Sequence, residues 1–141
     1  MPLGEKSTHL FRVLIIEDDR FNRRLYEDLL MADGIEVETM PNAVDGLRKL
    51  VESTCGLSAP IHLVVMDIEL PELDGLEATR RLKADPRTAE IPVVIISAHA
   101  LREHEQQALA VADAFLRKPL RFPEFQETIR RFADRARLAG A

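Results

Sequence analysis

The stretch HLVVMDIELPELDG, residues 62–75, decides the fold. Its apolar part, Leu63–Met66, is a short continuous run that includes β-branched residues, which is typical of a strand covered on both faces. The run ends on an acid, Asp67, and Pro71 and Gly75 follow within a few residues. We therefore predict that Asp67 is the reactive end of a strand and lies at the rim of a parallel sheet.

Four further segments look like strands. Two are continuous apolar runs like the first, VLII (residues 13–16) and VVII (residues 93–96). The other two are weaker: IEVETM (residues 35–40) alternates apolar and polar residues, and ADAFLRK (residues 112–118) is only partly apolar. Such patterns indicate strands with one open side.

The segments between these strands have helical spacing. The stretch 101–110 has little apolar weight, so we predict a weak and mobile helix there. Asn42 is expected to cap the second helix, and residues 53–60 are expected to form a loop. The apolar stripes of the other helices are Phe21, Leu25 and Leu29; Ala43, Leu47 and Leu50; Leu73, Leu76, Thr79 and Leu82; and Phe122, Phe125, Ile129, Phe132 and Ala136.

Strand and helix alternate five times, which predicts an α/β fold: a doubly wound, five-stranded parallel sheet with helices on both faces. The first, third and fourth strands are apolar enough to be central, so the expected strand order is 2-1-3-4-5. Ligands of such sheets bind outside the carboxyl ends of the strands. We predict one domain over residues 11–137, with an N-terminal tail at 1–10 and a C-terminal tail at 138–141.

The composition excludes several classes of protein. The chain of 141 residues, 46% of them apolar, is long enough for one domain with its own core. No apolar run approaches the ~20 residues that a membrane span requires, and the net charge of −5 argues against nucleic acid as the main ligand. The single cysteine, Cys55, can form no disulfide within the chain, so we expect a reducing, cytoplasmic location.

The charge is uneven along the chain. Residues 117–137 contain seven basic and three acidic residues, so this end is basic although the chain as a whole is acidic. The excess indicates a solvated basic face on the last helix, and a docking surface for an acidic partner is the alternative.

Polar side chains follow four of the predicted strands, and the predicted strand order brings them to one rim of the sheet. Any one of them alone is more simply a helix cap or a turn residue. Together they are chemically coherent, because clustered carboxylates require a cation and hard oxygen ligands suit Mg²⁺. A metal, a lysine and a hydroxyl around Asp67 would bind the oxygens of a phosphoryl group, with Asp67 as the nucleophile that forms an acyl phosphate. The residues are Glu17, Asp18 and Asp19; Asp67; Ser97; and Lys118.

Four blocks of the sequence resemble the signature of the response regulator receiver domain of two-component signalling, and they occur in the same order as in that family. The resemblance is to its single-domain, chemotaxis-regulator-like type in particular. The resemblance runs from about Arg12 to Arg135, and the spacing agrees as well. Thirty residues separate Asp67 from Ser97, and twenty-one separate Ser97 from Lys118. The blocks are VLIIEDD, VVMDIELPELDG, VVIISAHA and FLRKP.

The resemblance implies a role for each site residue. Asp67 would accept phosphate from a histidine kinase or a histidine phosphotransfer protein. Mg²⁺ would be held by Asp67, by Asp18 directly, by Glu17 through water and by the backbone carbonyl of Glu69. The hydroxyl of Ser97 and the ammonium of Lys118 would each bind a phosphoryl oxygen.

Other residues also resemble family positions. Ser97 and Phe115 are the switch residues, and Phe115 is alternatively an ordinary core ring. Gly75 resembles the glycine at which the loop after the phosphoacceptor turns into the third helix. Glu69 and His99 occupy places that tune the lifetime of the phosphate in relatives, and the peptide bond between Lys118 and Pro119 is often cis. No separate organic cofactor is expected.

The function implied by the resemblance is a phosphorylation switch rather than an enzyme. Phosphorylation would change a surface formed by the fourth helix, fifth strand and fifth helix, which a downstream effector would bind and through which the chain could form a homodimer. One alternative is a Mg²⁺-dependent phosphohydrolase of the haloacid dehalogenase type. That type has an aspartate two residues after the nucleophile, where this chain has Glu69, and usually a cap domain. The other alternative is a docking module that has kept only the fold.

Overall fold

Five strands alternate with five helices. The computed structural model describes residues 10–98 and 102–140. The strands are β1 (Arg12–Ile16), β2 (Glu36–Met40), β3 (Leu63–Asp67), β4 (Val93–Ser97) and β5 (Ala114–Arg117), and the helices are α1 (Arg20–Met31), α2 (Ala43–Thr54), α3 (Gly75–Ala84), α4 (Arg102–Val111) and α5 (Phe122–Gly140).

The strands form one parallel sheet in the order β2-β1-β3-β4-β5, which confirms the predicted fold class and strand order. Every residue of β3 and β4 is buried, whereas β2 at one edge is only half-buried. The continuous apolar runs are therefore the central strands, because a central strand is covered on both faces.

The core has two layers, one on each face of the sheet. Val13 and Ile15 of β1 pack on the face covered by α1 and α5, while Leu14 and Ile16 pack on the face covered by α2, α3 and α4. Three helices begin at an acid or amide whose side chain accepts a backbone N–H of the first turn, as expected for N-caps. These caps are Asp19, Asn42 and Asp74, and the prediction for Asn42 is confirmed.

The ends of several elements differ from the prediction. Leu73 precedes α3 because Asp74 caps that helix, although its side chain still packs on the core. Residues 53 and 54, predicted as loop, are the last turn of α2. α5 continues to Gly140, through residues that were expected to be a tail. Residues 1–9, most of the predicted N-terminal tail, and Leu101 of the predicted fourth helix lie outside the described residues.

Two aromatic residues of the predicted apolar stripes are not buried. Phe21 is 76% exposed and Phe122 is 42% exposed. Both lie in the first turn of their helices, α1 and α5, so the sheet does not cover them. Ala136 of the last stripe is also exposed. Among the described residues, no helix is long and apolar enough to cross a membrane.

A clamp at the amino end of the sheet joins α3 to the starts of β4 and β5. The carboxylate of Asp113 accepts the N–H of Val93 at 2.8 Å and the ammonium of Lys83 at 3.0 Å, and Lys83 also donates to the carbonyl of Ile91 at 2.9 Å. These three bonds connect segments that are distant in sequence. We expect the clamp to contribute to stability.

Asp113→Ala should lower the free energy of unfolding by about 1–2 kcal/mol, because it leaves the N–H of Val93 without its acceptor and removes the carboxylate that faces the ammonium of Lys83. Urea unfolding followed by circular dichroism measures this. The matched control is Asp134→Ala, which breaks an exposed ion pair with Arg137 and should cost less than about 0.5 kcal/mol. Equal losses in the two variants would contradict the role of the clamp.

Candidate functional site at the carboxyl ends of the strands

The residues predicted at the strand ends meet at one rim of the sheet. Lys118, just after β5, places its Nζ 2.9 Å from Oδ2 of Asp67 and 3.6 Å from Oε1 of Glu17. Asp67 is 3% exposed and Glu17 2% exposed, so the ammonium lies over two buried carboxylates. The sheet order causes this meeting, because β1 and β4 flank β3 and β5 lies beside β4.

Three acids are close enough to hold one metal ion. One carboxylate oxygen from each of Glu17, Asp18 and Asp67 lies within 4.8 Å of the others. Oε1 of Glu17 is buried and, among the described residues, accepts no hydrogen bond, since the ammonium of Lys118 at 3.6 Å is beyond hydrogen-bonding distance. A buried carboxylate oxygen without a donor is costly, and a divalent cation would satisfy it. The residues therefore fit Mg²⁺, which prefers a few carboxylates together with water.

Backbone contacts hold the loop after β1 in place. Oε2 of Glu17 accepts the N–H of Asp19 at 3.0 Å, and the guanidinium of Arg23 donates to the carbonyls of Glu17 and Asp18 at 2.9 and 3.0 Å. Asp19 itself caps α1 instead of joining the acidic cluster. The role of Arg23 could not be predicted, because nothing in a sequence shows which carbonyls a surface arginine will reach.

The carboxyl group of Asp67 is held in an unfavourable environment for its charge. Burial raises the pKa of Asp67 from 3.8 to about 7, although the hydrogen bond from Lys118 lowers it and the nearby Glu17 and Glu69 raise it further. Burial alone would lower the pKa of Lys118, but the hydrogen bond to Asp67 and the charges of Asp67 and Glu17 raise it overall. The ammonium thus stays charged beside the acids.

Tyr26 is a second residue of the site that the sequence pattern does not reveal. It lies on α1, is buried against the ring of Phe125, and is close enough to the acidic cluster to be affected by its charges. Burial raises the pKa of Tyr26 to about 12, and the charge of Glu17 contributes. Tyr26 therefore stays uncharged near the carboxylates.

The remaining predicted residues lie around Asp67. Ser97 is fully buried at the end of β4. The N–H of Glu69 donates to Oδ1 of Asp67 at 3.1 Å, and its carboxylate turns toward β4, where Oε1 accepts the N–H of Ala98 at 2.7 Å. Phe115 is half-buried against the core layer that contains α4.

Two further expectations concern the neighbouring loops. The Lys118–Pro119 peptide bond is cis, as the resemblance implies. His99 lies outside the described residues. In the described part of the chain, the cluster of Glu17, Asp18 and Asp67 is the only group of three or more His, Cys, Asp or Glu residues that is close enough to hold a metal ion.

The sequence model of the protein family described as the response regulator receiver domain matches residues 13–130. These residues include nearly the whole sheet and its helices. This chain belongs to that family. The predicted resemblance is therefore confirmed at the level of the family.

The curated relatives align with this chain over almost their full length. The polar-differentiation response regulator DivK of Brucella anthropi is 35% identical over 121 residues, which is 85% of this chain and 94% of the relative. The protein of the same name from Brucella ovis is 34% identical over 123 residues, with the same shares covered. This chain is similar to these regulators over most of its length.

Solved structures agree with the fold. A response regulator receiver domain protein from Clostridium thermocellum has a TM-score of 0.80 at 28% identity, covering 92% of this chain and 99% of that one. The receiver domain of a sensor histidine kinase from Pseudomonas aeruginosa, which has a magnesium ion coordinated in its active-site cleft, has a TM-score of 0.77 at 25% identity, covering 89% and 98%.

Proposed function

We propose that this chain is a phosphorylation switch that takes a phosphoryl group onto Asp67 from a phosphorylated histidine of a kinase or phosphotransfer protein. The observation that supports this proposal most directly is the contact of one ammonium, Lys118, with two buried carboxylates at the carboxyl ends of the strands. That arrangement provides a nucleophile and a fixed positive charge for the transferred group at the same point.

The transfer is a simple displacement. An oxygen of Asp67 forms a bond to phosphorus while the bond from phosphorus to the histidine nitrogen breaks, and the nitrogen keeps the electron pair and takes a proton from water. Lys118 lies 2.9 Å from Oδ2 of Asp67 and balances the negative charge of the product. Ser97, at the end of the neighbouring strand, would donate its hydroxyl to a phosphoryl oxygen.

Mg²⁺ would be bound by Asp18, Asp67 and Glu17 and by the backbone carbonyl of Glu69. When bound, it supplies positive charge to the phosphoryl oxygens and reduces the repulsion between the carboxylates. Glu17 fits the role because its buried Oε1 accepts no hydrogen bond from the described residues. The magnesium named for the Pseudomonas aeruginosa receiver domain supports the same assignment.

Adding Mg²⁺ should raise the midpoint of thermal unfolding of the wild-type protein, because an ion that binds only the folded chain stabilises it by about 2.7 kcal/mol at 100 times its dissociation constant. Asp18→Asn should respond much less, since it removes one charged ligand. The exposed acid Asp134 provides the control variant, Asp134→Asn, which should respond like the wild type. An equal response in all three proteins would place the metal elsewhere.

The readout of the switch is proposed to be the surface formed by α4, β5 and α5. Phosphorylated Asp67 would attract Ser97 and Lys118, which precede α4 and follow β5, and so shift the balance between two arrangements of this surface. Phe115 on β5 would take part as a switch residue. The basic excess in residues 117–137 favours an effector with an acidic surface, and a homodimer through the β5 face is the other use of the same surface.

One experiment tests the proposal. The protein is incubated with Mg²⁺ and acetyl phosphate, and its intact mass is measured. We expect one added phosphoryl group, which is absent in Asp67→Asn and is prevented by EDTA. No added mass, or addition that persists in Asp67→Asn, would overturn the proposal.

The same experiment separates the alternatives. Continuous release of phosphate from unrelated phosphate esters would favour the phosphohydrolase. That function needs an acid two residues after the nucleophile to protonate the leaving group, whereas the carboxylate of Glu69 is bonded to the backbone of Ala98. An unmodified protein that still binds its effector would favour the docking module.

A cytoplasmic location remains a prediction from the sequence.

A further inference from the structure

The side chain of Glu69 connects two strand ends. Its Oε1 lies 2.7 Å from the N–H of Ala98 and 3.5 Å from the hydroxyl of Ser97, while its own N–H donates to Oδ1 of Asp67. Its other oxygen, Oε2, is buried and accepts no hydrogen bond from the described residues. The carboxylate is therefore held at the end of β4, directly beside the proposed phosphoacceptor.

A phosphoryl group on Asp67 would need the same donors. Its oxygens are negative, and the hydroxyl of Ser97 and the N–H of Ala98 are uncharged donors on the two residues that follow Ile96, the residue paired with Asp67 across the strands. In the structure Oε1 of Glu69 already accepts the N–H of Ala98 at 2.7 Å and lies 3.5 Å from the hydroxyl of Ser97, at the limit of hydrogen-bonding distance. Two anionic oxygens cannot share them at close range, because each would repel the other.

We propose that the Glu69 carboxylate occupies the position of a phosphoryl oxygen in the unphosphorylated protein and must leave Ser97 and Ala98 before a phosphoryl group can be bound there. This inference rests on the proposed function and adds a regulation of the same site. Glu69 is thus an internal competitor that opposes phosphorylation, rather than a catalytic residue.

The charges around Asp67 favour such competition. Lys118 is the ammonium in contact with the described acids of the site, and it already faces Asp67 and Glu17. Glu69 brings a further negative charge to the rim, so an arriving anion meets both an occupied pair of donors and additional repulsion. Removing the carboxylate removes both obstacles.

The test uses Glu69→Ala and Glu69→Gln in the full chain with Mg²⁺ present. Fluoroberyllate serves as the probe, because it binds an aspartate as a phosphoryl mimic, and its affinity is measured by titration. We expect Glu69→Ala to bind it roughly tenfold more tightly than wild type, the factor that corresponds to one charged hydrogen bond. Glu69→Gln should lie in between, because an amide oxygen can still accept the N–H but carries no charge.

The matched control is Glu72→Gln. Glu72 lies in the same loop and is exposed, and it forms none of the described hydrogen bonds, so this variant removes one charge without freeing any donor. It should bind fluoroberyllate like the wild type. A gain in Glu72→Gln equal to that in Glu69→Gln would mean that general charge, and not the occupied donors, sets the affinity, which would overturn the inference.

A second readout follows the Ala98 amide by nuclear magnetic resonance. In the ligand-free protein its signal should move in Glu69→Ala, because the hydrogen bond is lost. In the fluoroberyllate complexes of wild type and Glu69→Ala the signals should coincide, because the mimic binds the same N–H in both. Signals that differ in the complexes, or unchanged or weaker binding in both Glu69 variants, would overturn the inference.

Failure of the inference is distinct from failure of the proposed function. Wild-type protein that gains a phosphoryl group, together with Glu69 variants that behave like it, refutes only the role of Glu69. Wild-type protein that gains no phosphoryl group and binds no fluoroberyllate refutes the proposed function, and the inference with it.

Discussion

Asp67→Asn is expected to make the metal-free protein more stable than the wild type at pH 8, and by less than half as much at pH 5. Burial raises the pKa of Asp67 from 3.8 to about 7, so at pH 8 the folded protein carries a buried, poorly solvated charge that asparagine lacks. Ionisation of Asp67 lowers the free energy of unfolding of the wild type by roughly 4 kcal/mol at most, which corresponds to about 10 °C in Tm for a chain of this size.

The sign follows from proton binding. Between pH 3.8 and about 7 the folded protein keeps a proton on Asp67 that the unfolded chain has released, so the stability of the wild type falls as the pH rises through this window. Asparagine resembles the protonated acid at every pH. The advantage of Asp67→Asn should therefore shrink steadily as the pH falls from 7 toward 4.

Thermal unfolding in EDTA from pH 5 to pH 8 measures this difference. The groups that face Asp67 are Glu17, Glu69 and Lys118, and none of them is changed in the variant. Asp134→Asn, at an exposed acid, is the control and should show no such pH dependence. Saturating Mg²⁺ should reduce the advantage at pH 8, because the ion stabilises only the wild-type carboxylate fully. A difference that is constant from pH 5 to pH 8 would contradict the prediction.

The sheet could be predicted from the sequence because its signal is local. A strand buried on both faces must be apolar at every position, as Leu63–Met66 and Val93–Ile96 are, and an edge strand such as Glu36–Met40 need not be. Once the order of the strands is known, the residues that follow them must meet at one rim. The proximity of Asp67, Glu17 and Lys118 could therefore be predicted from the sequence.

The direction of individual side chains could not be predicted in the same way. Phe21 has helical spacing with Leu25, yet it is exposed because the first turn of α1 lies beyond the part of the sheet that covers the helix. The contact between Glu69 and Ala98 depends on how two loops from neighbouring strands fold back, and residues 69 and 98 are not related by any periodicity. Spacing reveals which residues share an element, whereas loop conformation decides which of them touch.

Gly75→Ala is expected to destabilise the protein and to slow phosphorylation of Asp67. A Cβ at residue 75 would collide with the carbonyl oxygen of Asp67 and would lie 2.8 Å from its carbonyl carbon and 2.9 Å from Cα of Ile68. All of these atoms are backbone, so no side chain can move aside. Alanine is the better helix former by about 1 kcal/mol, but overpacking costs about 1–3 kcal/mol and here displaces the main chain.

The displacement reaches the proposed nucleophile directly. The N–H of Gly75 donates to the carbonyl of Ile68 at 3.0 Å, so the start of α3 is tied to the residue after Asp67. A shift of about 1 Å in a reacting group can cost on the order of 100-fold in rate. We expect the rate of phosphorylation by acetyl phosphate to fall at least tenfold, together with a lower Tm.

Gly46→Ala provides the matched control. It also adds one methyl group to a glycine in a helix, but that group would meet only the side chain of Ile16 and no backbone of the site. Its effect on the rate should therefore be small even where it changes the Tm. A Gly75→Ala protein that is phosphorylated at the wild-type rate would show that β3 and α3 can separate without moving Asp67, and the close approach would then serve packing alone.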